Sequence, residues 1–500
     1  MKTCLIESTK ISRRSFLQAL GALTLSGSLA ACGGTGKVKS DRLAAGSLAY
    51  TPDEVVTVEF SDGGITVSPE DAAGLAVEGT ALSVSGAGVY ALSGRCADGS
   101  VKVEAQTEDV VLLLDGLTLT SADTAPIVCG ESTGVTIAVV DGTENTLTDS
   151  EANDPDNAAD NENAEKAVVK CKDGSQVVLC GGGALTVNAR GKNGIKSGTA
   201  LDDRDASLTI RELTLNIEAL VNDAINAEQR LKVESGNLTI AAGDDAIHCD
   251  RELNIGAEGT TGPAITVSTC CEGLEGAVLN IHSGNMDITS TDDCLNAANS
   301  DLSGYTFTMN ISGGVINAYT SGGDGFDSNG TLTITGGDIS VWTANAADNQ
   351  PLDADGRITI SGGTVLAAGG SAGMGFSISA SQPYVTFGGG RDGSLSLAGG
   401  AAFSIADESG KSVLDSTALC DAAFLFYSSP ALTAEGRYSV QSTVTATAKT
   451  GEADPQFGGN GGPGGQRPDG MTPPDGQMPQ GQPPQSDGTT PPELPAASSN

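Results

Sequence analysis

Between about residues 180 and 370 apolar and polar positions alternate in short runs, among them Leu238-Thr239-Ile240, Ile316-Asn317-Ala318 and Ile339-Ser340-Val341. Period-two alternation marks strands with one buried face. The runs are headed by Leu185, Leu213, Leu238, Ile265, Met286, Ile316, Ile339 and Val365. Glycine pairs Gly313-Gly314, Gly336-Gly337 and Gly362-Gly363 lead into three of them and predict turns that need positive φ. No helical period competes with this pattern.

A second phrase recurs with the strands, of the form polar, small, apolar, polar. It stands at Asn193-Gly194-Ile195-Lys196, Asp223-Ala224-Ile225-Asn226, Asp245-Ala246-Ile247-His248, Glu272-Gly273-Leu274-Glu275, Asp293-Cys294-Leu295-Asn296, Asp324-Gly325-Phe326-Asp327 and Gln350-Pro351-Leu352-Asp353. The first positions are spaced 30, 22, 27, 21, 31 and 26 residues apart. Repeats of this length, each with several short strands, predict an all-β fold built as a parallel β-helix, a solenoid of stacked rungs.

Stacking places equivalent residues one strand spacing apart, about 4.8 Å. Asp223, Asp245, Glu272, Asp293 and Asp324 then form one acidic column, and Asn226, His248, Glu275, Asn296, Asp327 and Asp353 a second. Neighbouring carboxylates at that distance repel by roughly 0.9 kcal/mol in water and roughly 3.5 kcal/mol at an effective dielectric near 20. An all-oxygen ligand set suits Ca²⁺. Asp245, Glu272, Glu275, Asp293, Asp324, Asp327, Asp353 and Asp355 are the expected metal ligands. The alternative is that they are turn residues whose side chains splay into solvent. The acidic stretch Asp154–Asn163 reads as a solvated insertion.

Charge and composition agree with an acidic, extended β protein. The 500 residues carry 26 Lys and Arg against 63 Asp and Glu, a net charge of −37, with 68 glycines and 4% aromatics. Such a surface repels nucleic acid, and no nucleic-acid partner is expected. Of 11 cysteines, most read as small buried hydrophobes. With His248 and His282 as the only histidines and no Cys-x-x-Cys, the spacing argues against a zinc centre.

The ends differ from the middle. Ser12-Arg13-Arg14-Ser15-Phe16-Leu17 is a twin-arginine signature, followed by an apolar stretch from Ala19 to Leu29 and by Leu29-Ala30-Ala31-Cys32, which looks like a lipobox. Arg13 and Arg14 are the export signal and Cys32 the lipidated residue. Removal of residues 1–31 would leave 22 basic and 62 acidic residues, a net charge of −40. The protein is expected to be exported and lipid-anchored on the outer face of a bacterial membrane, touching the membrane through the lipid on Cys32. No later stretch approaches the roughly 20 apolar residues of a membrane span. Residues 451–500 hold 11 of the 19 prolines and read as a disordered tail. The organisation is a signal at 1–31, a linker at 32–50, an N-terminal β region with first rungs at 51–180, the repeat core at 181–370, a small β cap at 371–450 and the tail at 451–500.

The chain resembles the bacterial carbohydrate-binding-domain family of right-handed parallel β-helices, related in fold to polysaccharide lyases. The resemblance rests on Asp292-Asp293-Cys294-Leu295-Asn296-Ala297-Ala298, Gly323-Asp324-Gly325-Phe326-Asp327-Ser328-Asn329-Gly330, Pro351-Leu352-Asp353-Ala354-Asp355-Gly356 and Glu272-Gly273-Leu274-Glu275-Gly276. It covers about residues 80–445. Ala354 departs from the family's usual aromatic and Cys294 from its glycine. The resemblance implies calcium and the binding of cellulose or acidic sugars such as pectin and polygalacturonate.

Tyr319 and Trp342 each fall three residues after a strand-heading isoleucine, so alternation turns both outward on adjacent rungs, as a platform for a sugar face. A packed aromatic ladder is the alternative. The expected function is binding of extracellular polysaccharide by a monomer, without catalytic residues. A polysaccharide lyase is the rival. β-Elimination from a uronic acid needs a cation and a base, and among Arg204, Arg211, Lys232, Arg251 and Arg357 only Arg357 closely follows a candidate calcium loop.

Overall fold

The computed structural model describes residues 44–50, 55–344, 349–370, 378–389 and 395–452. Arg13, Arg14 and Cys32, and the tail from residue 453 onward, lie outside the described residues. Among the described residues the fold is all-β, and the helical structure is one short 3₁₀ turn at Glu151–Asn153. Thirty-four strands join a large, mainly parallel sheet and four form a second sheet.

Strands pair with the equivalent strand of the next repeat rather than with their sequence neighbours. Ala184–Ala189, Thr214–Ala219, Asn237–Ala242, Ala264–Thr269, Asn285–Ser290, Val315–Thr320, Asp338–Thr343 and Thr364–Gly369 form one continuous parallel ladder. Leu185, Leu215, Leu238, Ile265, Met286, Ile316, Ile339 and Val365 stand in register along it. Leu215 thus takes the place that the sequence pattern assigns to Leu213, which is buried one step earlier. The second glycine of each predicted pair has the positive φ its turn needs: 94° at Gly314, 97° at Gly337 and 81° at Gly363.

The four-residue phrase forms a second ladder. Ile195, Ile225, Ile247, Leu274, Leu295 and Phe326 stack in register, and an isolated bridge adds Leu352. All seven side chains are fully buried. Each contributes about 1.5–3 kcal/mol by leaving water, which makes this column the anchor that holds the flanking polar residues in phase. The small position is enforced by neighbouring backbone. A Cβ on Gly273 would stand 2.2 Å from the Cys294 carbonyl oxygen, and one on Gly325 would stand 2.4 Å from that of Pro351.

The last parallel pairing is that of Ile358–Ile360 with residues 378–380, and beyond it the pairing is antiparallel. Phe424–Ser428 pairs with Thr364–Gly369 and Ile378–Gly388. Ala402–Asp407, Ser412–Thr417, Arg437–Val440 and Val444–Thr447 form the four-stranded sheet. These elements enclose a second apolar core of Trp342, Phe403, Leu425, Tyr427 and Val440, outside the one that runs through the ladders. Eight of the nine cysteines among the described residues are buried and Cys420 is half-buried. Burial pushes Cys249 up to about 11 and Cys294 up to about 12, so both thiols stay protonated.

Candidate functional site

Backbone hydrogen bonds hold the first acidic column in register. The Ala224 amide donates to the Asp245 carbonyl (3.0 Å), Ala246 to Glu272 (2.9 Å), Gly273 to Asp293 (2.9 Å), Cys294 to Asp324 (3.2 Å) and Gly325 to Gln350 (2.8 Å). The second column follows from strand register, Asn226 to His248, Glu275, Asn296 and Asp327 in turn. Both columns therefore lie along one edge of the repeat, on either side of the buried apolar ladder.

Several column-one carboxylates also cap the next rung. Asp223 Oδ1 accepts the Asp245 amide at 3.2 Å, Asp293 Oδ1 accepts that of Asp324 at 2.6 Å, and Asp324 Oδ1 accepts that of Gln350. This turn-capping role uses one oxygen of each carboxylate. In the first half of the columns a carboxylate oxygen of the first column meets a side-chain nitrogen of the second, three residues on for Asp223 and Asp245 and on the next rung for Glu272. Asn226 Nδ2 donates to Asp223 Oδ2 (2.6 Å), His248 Nδ1 lies 3.1 Å from Asp245 Oδ2, and Asn296 Nδ2 donates to Glu272 Oε2 (2.8 Å).

Past Asn296 that pairing stops. Asp324, Asp327 and Asp353 present carboxylate oxygens that all lie within 4.8 Å of one another. Burial, with Asp353 and Asp355 nearby, pushes Asp327 up to about 6. Burial raises Asp324 to about 7, Glu272 to about 7 and Asp293 to about 9, and neighbouring carboxylates add to each shift. Groups so perturbed must hold protons or a cation. Beside them Gln350 is buried, its side chain reaches Asp353, and its Oε1 has no hydrogen-bond partner among the described residues. A neutral oxygen left unpartnered on a residue bonded to both Asp324 and Asp353 fits a hard cation that takes only oxygen ligands. Asp355 is exposed and its amide bonds the Ser328 carbonyl at 2.9 Å, so it stands at the rim of this group.

At the other end Asp245, His248 and Glu275 converge in the same way. His248 Nδ1 faces Asp245 Oδ2 and Glu275 Oε2, and Nε2 lies 2.8 Å from Asp250 Oδ1. Burial opposes the charged ring, but hydrogen bonds to Asp245, Asp250 and Glu275 outweigh it and hold the imidazole well above its usual pKa. An imidazole in the donor set does not fit an all-oxygen calcium site. Nothing in the spacing of two isolated histidines reveals this grouping, which arises only when successive repeats stack.

The predicted sugar platform is corrected. Tyr319 and Trp342 do lie in register on adjacent rungs and point away from the main core. However, Trp342 is 0% exposed, packs edge-on against Phe403 with ring centres 6.0 Å apart, and donates to Ser340 Oγ at 2.9 Å. Tyr319 is half-buried against the same cluster. The antiparallel cap covers both rings, so the packed-ladder alternative describes them. Arg357 is corrected too: it is exposed and pairs with Glu452 at 2.8 Å, on the strand Lys449–Glu452. Most positions of the stretch Asp154–Asn163 are exposed, in keeping with a solvated insertion, and Asn161 Nδ2 ties it to the Ala152 carbonyl (2.6 Å).

One half-buried aromatic group was not singled out by the sequence pattern. Residues between Ala297 and Thr308 bring Tyr305 to Arg251, whose guanidinium carbon is 5.9 Å from the ring centre, and Phe307 lies 6.2 Å from Tyr305. Asn299 Nδ2 donates to the Asp250 carbonyl at 3.1 Å, which ties this segment to the His248 group. The available signal was the 31-residue interval, the longest in the repeat.

A family model described as "Carbohydrate-binding domain-containing protein" matches residues 78–373, the span that contains both columns. A protein of the same description from Acetivibrio thermocellus is 30% identical over 184 residues, which are 37% of this chain and 60% of that relative. Among solved structures, the polysaccharide lyase-like protein from C. thermocellum, as a gadolinium derivative, aligns over 61% of this chain and 96% of its own at 20% identity, with a TM-score of 0.35. By the extent of the family match, this chain belongs to the carbohydrate-binding domain-containing proteins.

Proposed function

We propose that the protein is an exported, lipid-anchored binder of acidic extracellular polysaccharide, held to its ligand through calcium on a right-handed parallel β-helix. Successive parallel ladders from stacked repeats support the β-helix reading, and crossovers between parallel strands are nearly always right-handed. The observation that carries the function is the Asp324, Asp327 and Asp353 group with the stranded Gln350 oxygen. Calcium there would be held by those carboxylates and the Gln350 amide oxygen. It would neutralise repulsion between rungs and leave a face able to take uronate carboxylates, which an acidic protein otherwise repels. Arg251 and Tyr305 add a guanidinium and a half-buried ring suited to an acidic sugar.

Co-sedimentation with polygalacturonate tests this. Binding should be present with calcium, be lost with EDTA, and be lost in Asp324→Asn and Asp353→Asn even with calcium. Retention in both variants would overturn the calcium bridge. A lyase reading keeps one supporting observation, Arg251 beside the His248 group. Ultraviolet absorbance of unsaturated product on incubation with polygalacturonate decides it, and a flat trace leaves a binder.

A further inference from the structure

The His248 group differs from the calcium-like group in donor chemistry, and we propose that Asp245, His248 and Glu275 form a distinct site for a borderline divalent cation of the zinc class. The inference stands apart from calcium and polysaccharide binding, and it removes Asp245 and Glu275 from the calcium ligands. Imidazole nitrogen with carboxylate oxygen is a donor set for zinc and its first-row neighbours, whereas calcium takes oxygen.

Geometry supports the assignment in three ways. First, a nitrogen that carries at most one proton faces two carboxylate oxygens, Asp245 Oδ2 and Glu275 Oε2, and carboxylates are acceptors only. One proton on Nδ1 points at one of them, whereas a cation between the three atoms satisfies all three. Two donors bound to zinc at about 2.0–2.2 Å and tetrahedral angles lie roughly 3.3 Å apart. Asp245 Oδ2 and His248 Nδ1, 3.1 Å apart, have that spacing, whereas Glu275 Oε2 lies closer to the nitrogen and would move outward on binding.

Second, the outer ring nitrogen is already committed. Nε2 lies 2.8 Å from Asp250 Oδ1, the carboxylate–histidine arrangement that keeps the proton on one nitrogen and turns the lone pair of the other toward a metal. Third, Asn296, in register with Glu275 and buried, gives its Nδ2 to Glu272, while its Oδ1 has no hydrogen-bond partner among the described residues. A neutral oxygen is thus stranded on the rung next to Glu275. Three protein ligands leave a fourth position for water or a sugar oxygen.

The full chain, stripped with chelator, is titrated with Co²⁺ in the presence of excess calcium. The visible absorption of tetrahedral cobalt should grow to one equivalent and be displaced by Zn²⁺. His248→Gln should abolish the signal, and Asp250→Asn should weaken zinc affinity by about 10–100-fold. His248→Asp restores an all-oxygen set and keeps the fold testable if the glutamine variant does not fold; it should lose the cobalt signal yet melt cooperatively. Asp324→Asn, which removes the calcium-like group, should leave the cobalt spectrum unchanged. Absence of tetrahedral absorption in the wild type, or its persistence in His248→Asp, would overturn the assignment and leave His248 as a protonated ring shared among carboxylates.

Discussion

The two ends of the acidic columns answer the same electrostatic problem differently. Around Asp223, Asp245 and Glu272 the chain sets side-chain nitrogens among the carboxylates, the amides of Asn226 and Asn296 and the imidazole of His248. Lys196 continues this pattern toward the N-terminal side, donating to Asn226 Oδ1 at 2.7 Å and pairing with Glu228 at 3.0 Å. Around Asp324, Asp327 and Asp353 the corresponding places hold carboxylates, and the neighbouring amide, Gln350, leaves its oxygen unpaired among the described residues. One scaffold with the same phrase in each repeat can therefore carry a segment of mixed nitrogen and oxygen groups and a segment of oxygen groups alone. The difference lies in which side chains fill the second column, Asn226, His248 and Asn296 in one segment and Asp327 and Asp353 in the other.

The largest expected effect breaks the scaffold beneath the cation-dependent end. Phe326 is fully buried between Leu295 and Leu352, so Phe326→Ala should cost about 3–5 kcal/mol. It should also abolish the calcium-induced rise in melting temperature, because Asp324 and Asp327 are positioned by that ring's backbone. A calorimetric scan with and without calcium measures both, and an unchanged calcium response in the variant would separate the site from the ladder.

A pH series sharpens the contrast. Asp327, Asp324 and Asp293 have folded values of about 6, 7 and 9, above the roughly 3.9 of an unfolded aspartate. The native state then binds protons more tightly than the unfolded one. Stability of the metal-free protein is full below about pH 4 and is lost as pH rises through the folded values, up to about pH 9. Calcium binds the deprotonated form and offsets the loss. The gap in melting temperature between calcium-saturated and EDTA-treated protein should therefore widen from pH 5 to pH 9; a constant gap would contradict a cation requirement at this end.

The smallest effect concerns Arg357, which follows the cation-dependent group in sequence. Its exposed pair with Glu452 is worth little. Arg357→Ala should change stability by less than about 0.5 kcal/mol and leave polygalacturonate binding unaltered, as measured by melting and co-sedimentation.

Much of this organisation is written locally. Strand alternation, the glycine pairs and the four-residue phrase placed the apolar ladder and both columns, because period two and backbone pairing depend on near neighbours and repeat on every rung. The slip from Leu213 to Leu215 shows the limit, since both are apolar and only pairing with Leu185 and Leu238 distinguishes them. The donor network was less legible. Asn226, His248 and Asn296 occupy equivalent positions in the sequence, but whether each donates to a carboxylate depends on how two rungs meet.

The sequence by itself determined the all-β character, the repeat and the side of it on which the carboxylates gather, since these follow from the order of polar, small and apolar residues. Tertiary structure alone decided which outward residues reach solvent. Trp342 points away from the main core as alternation requires, yet Phe403 and the antiparallel cap bury it. His248 has Asp245 and Asp250 close by in the chain, but it gains Glu275 only when the next rung stacks on its own. Both outcomes depend on contacts between segments distant in the chain, and exposure and electrostatic company are properties of those contacts rather than of local pattern.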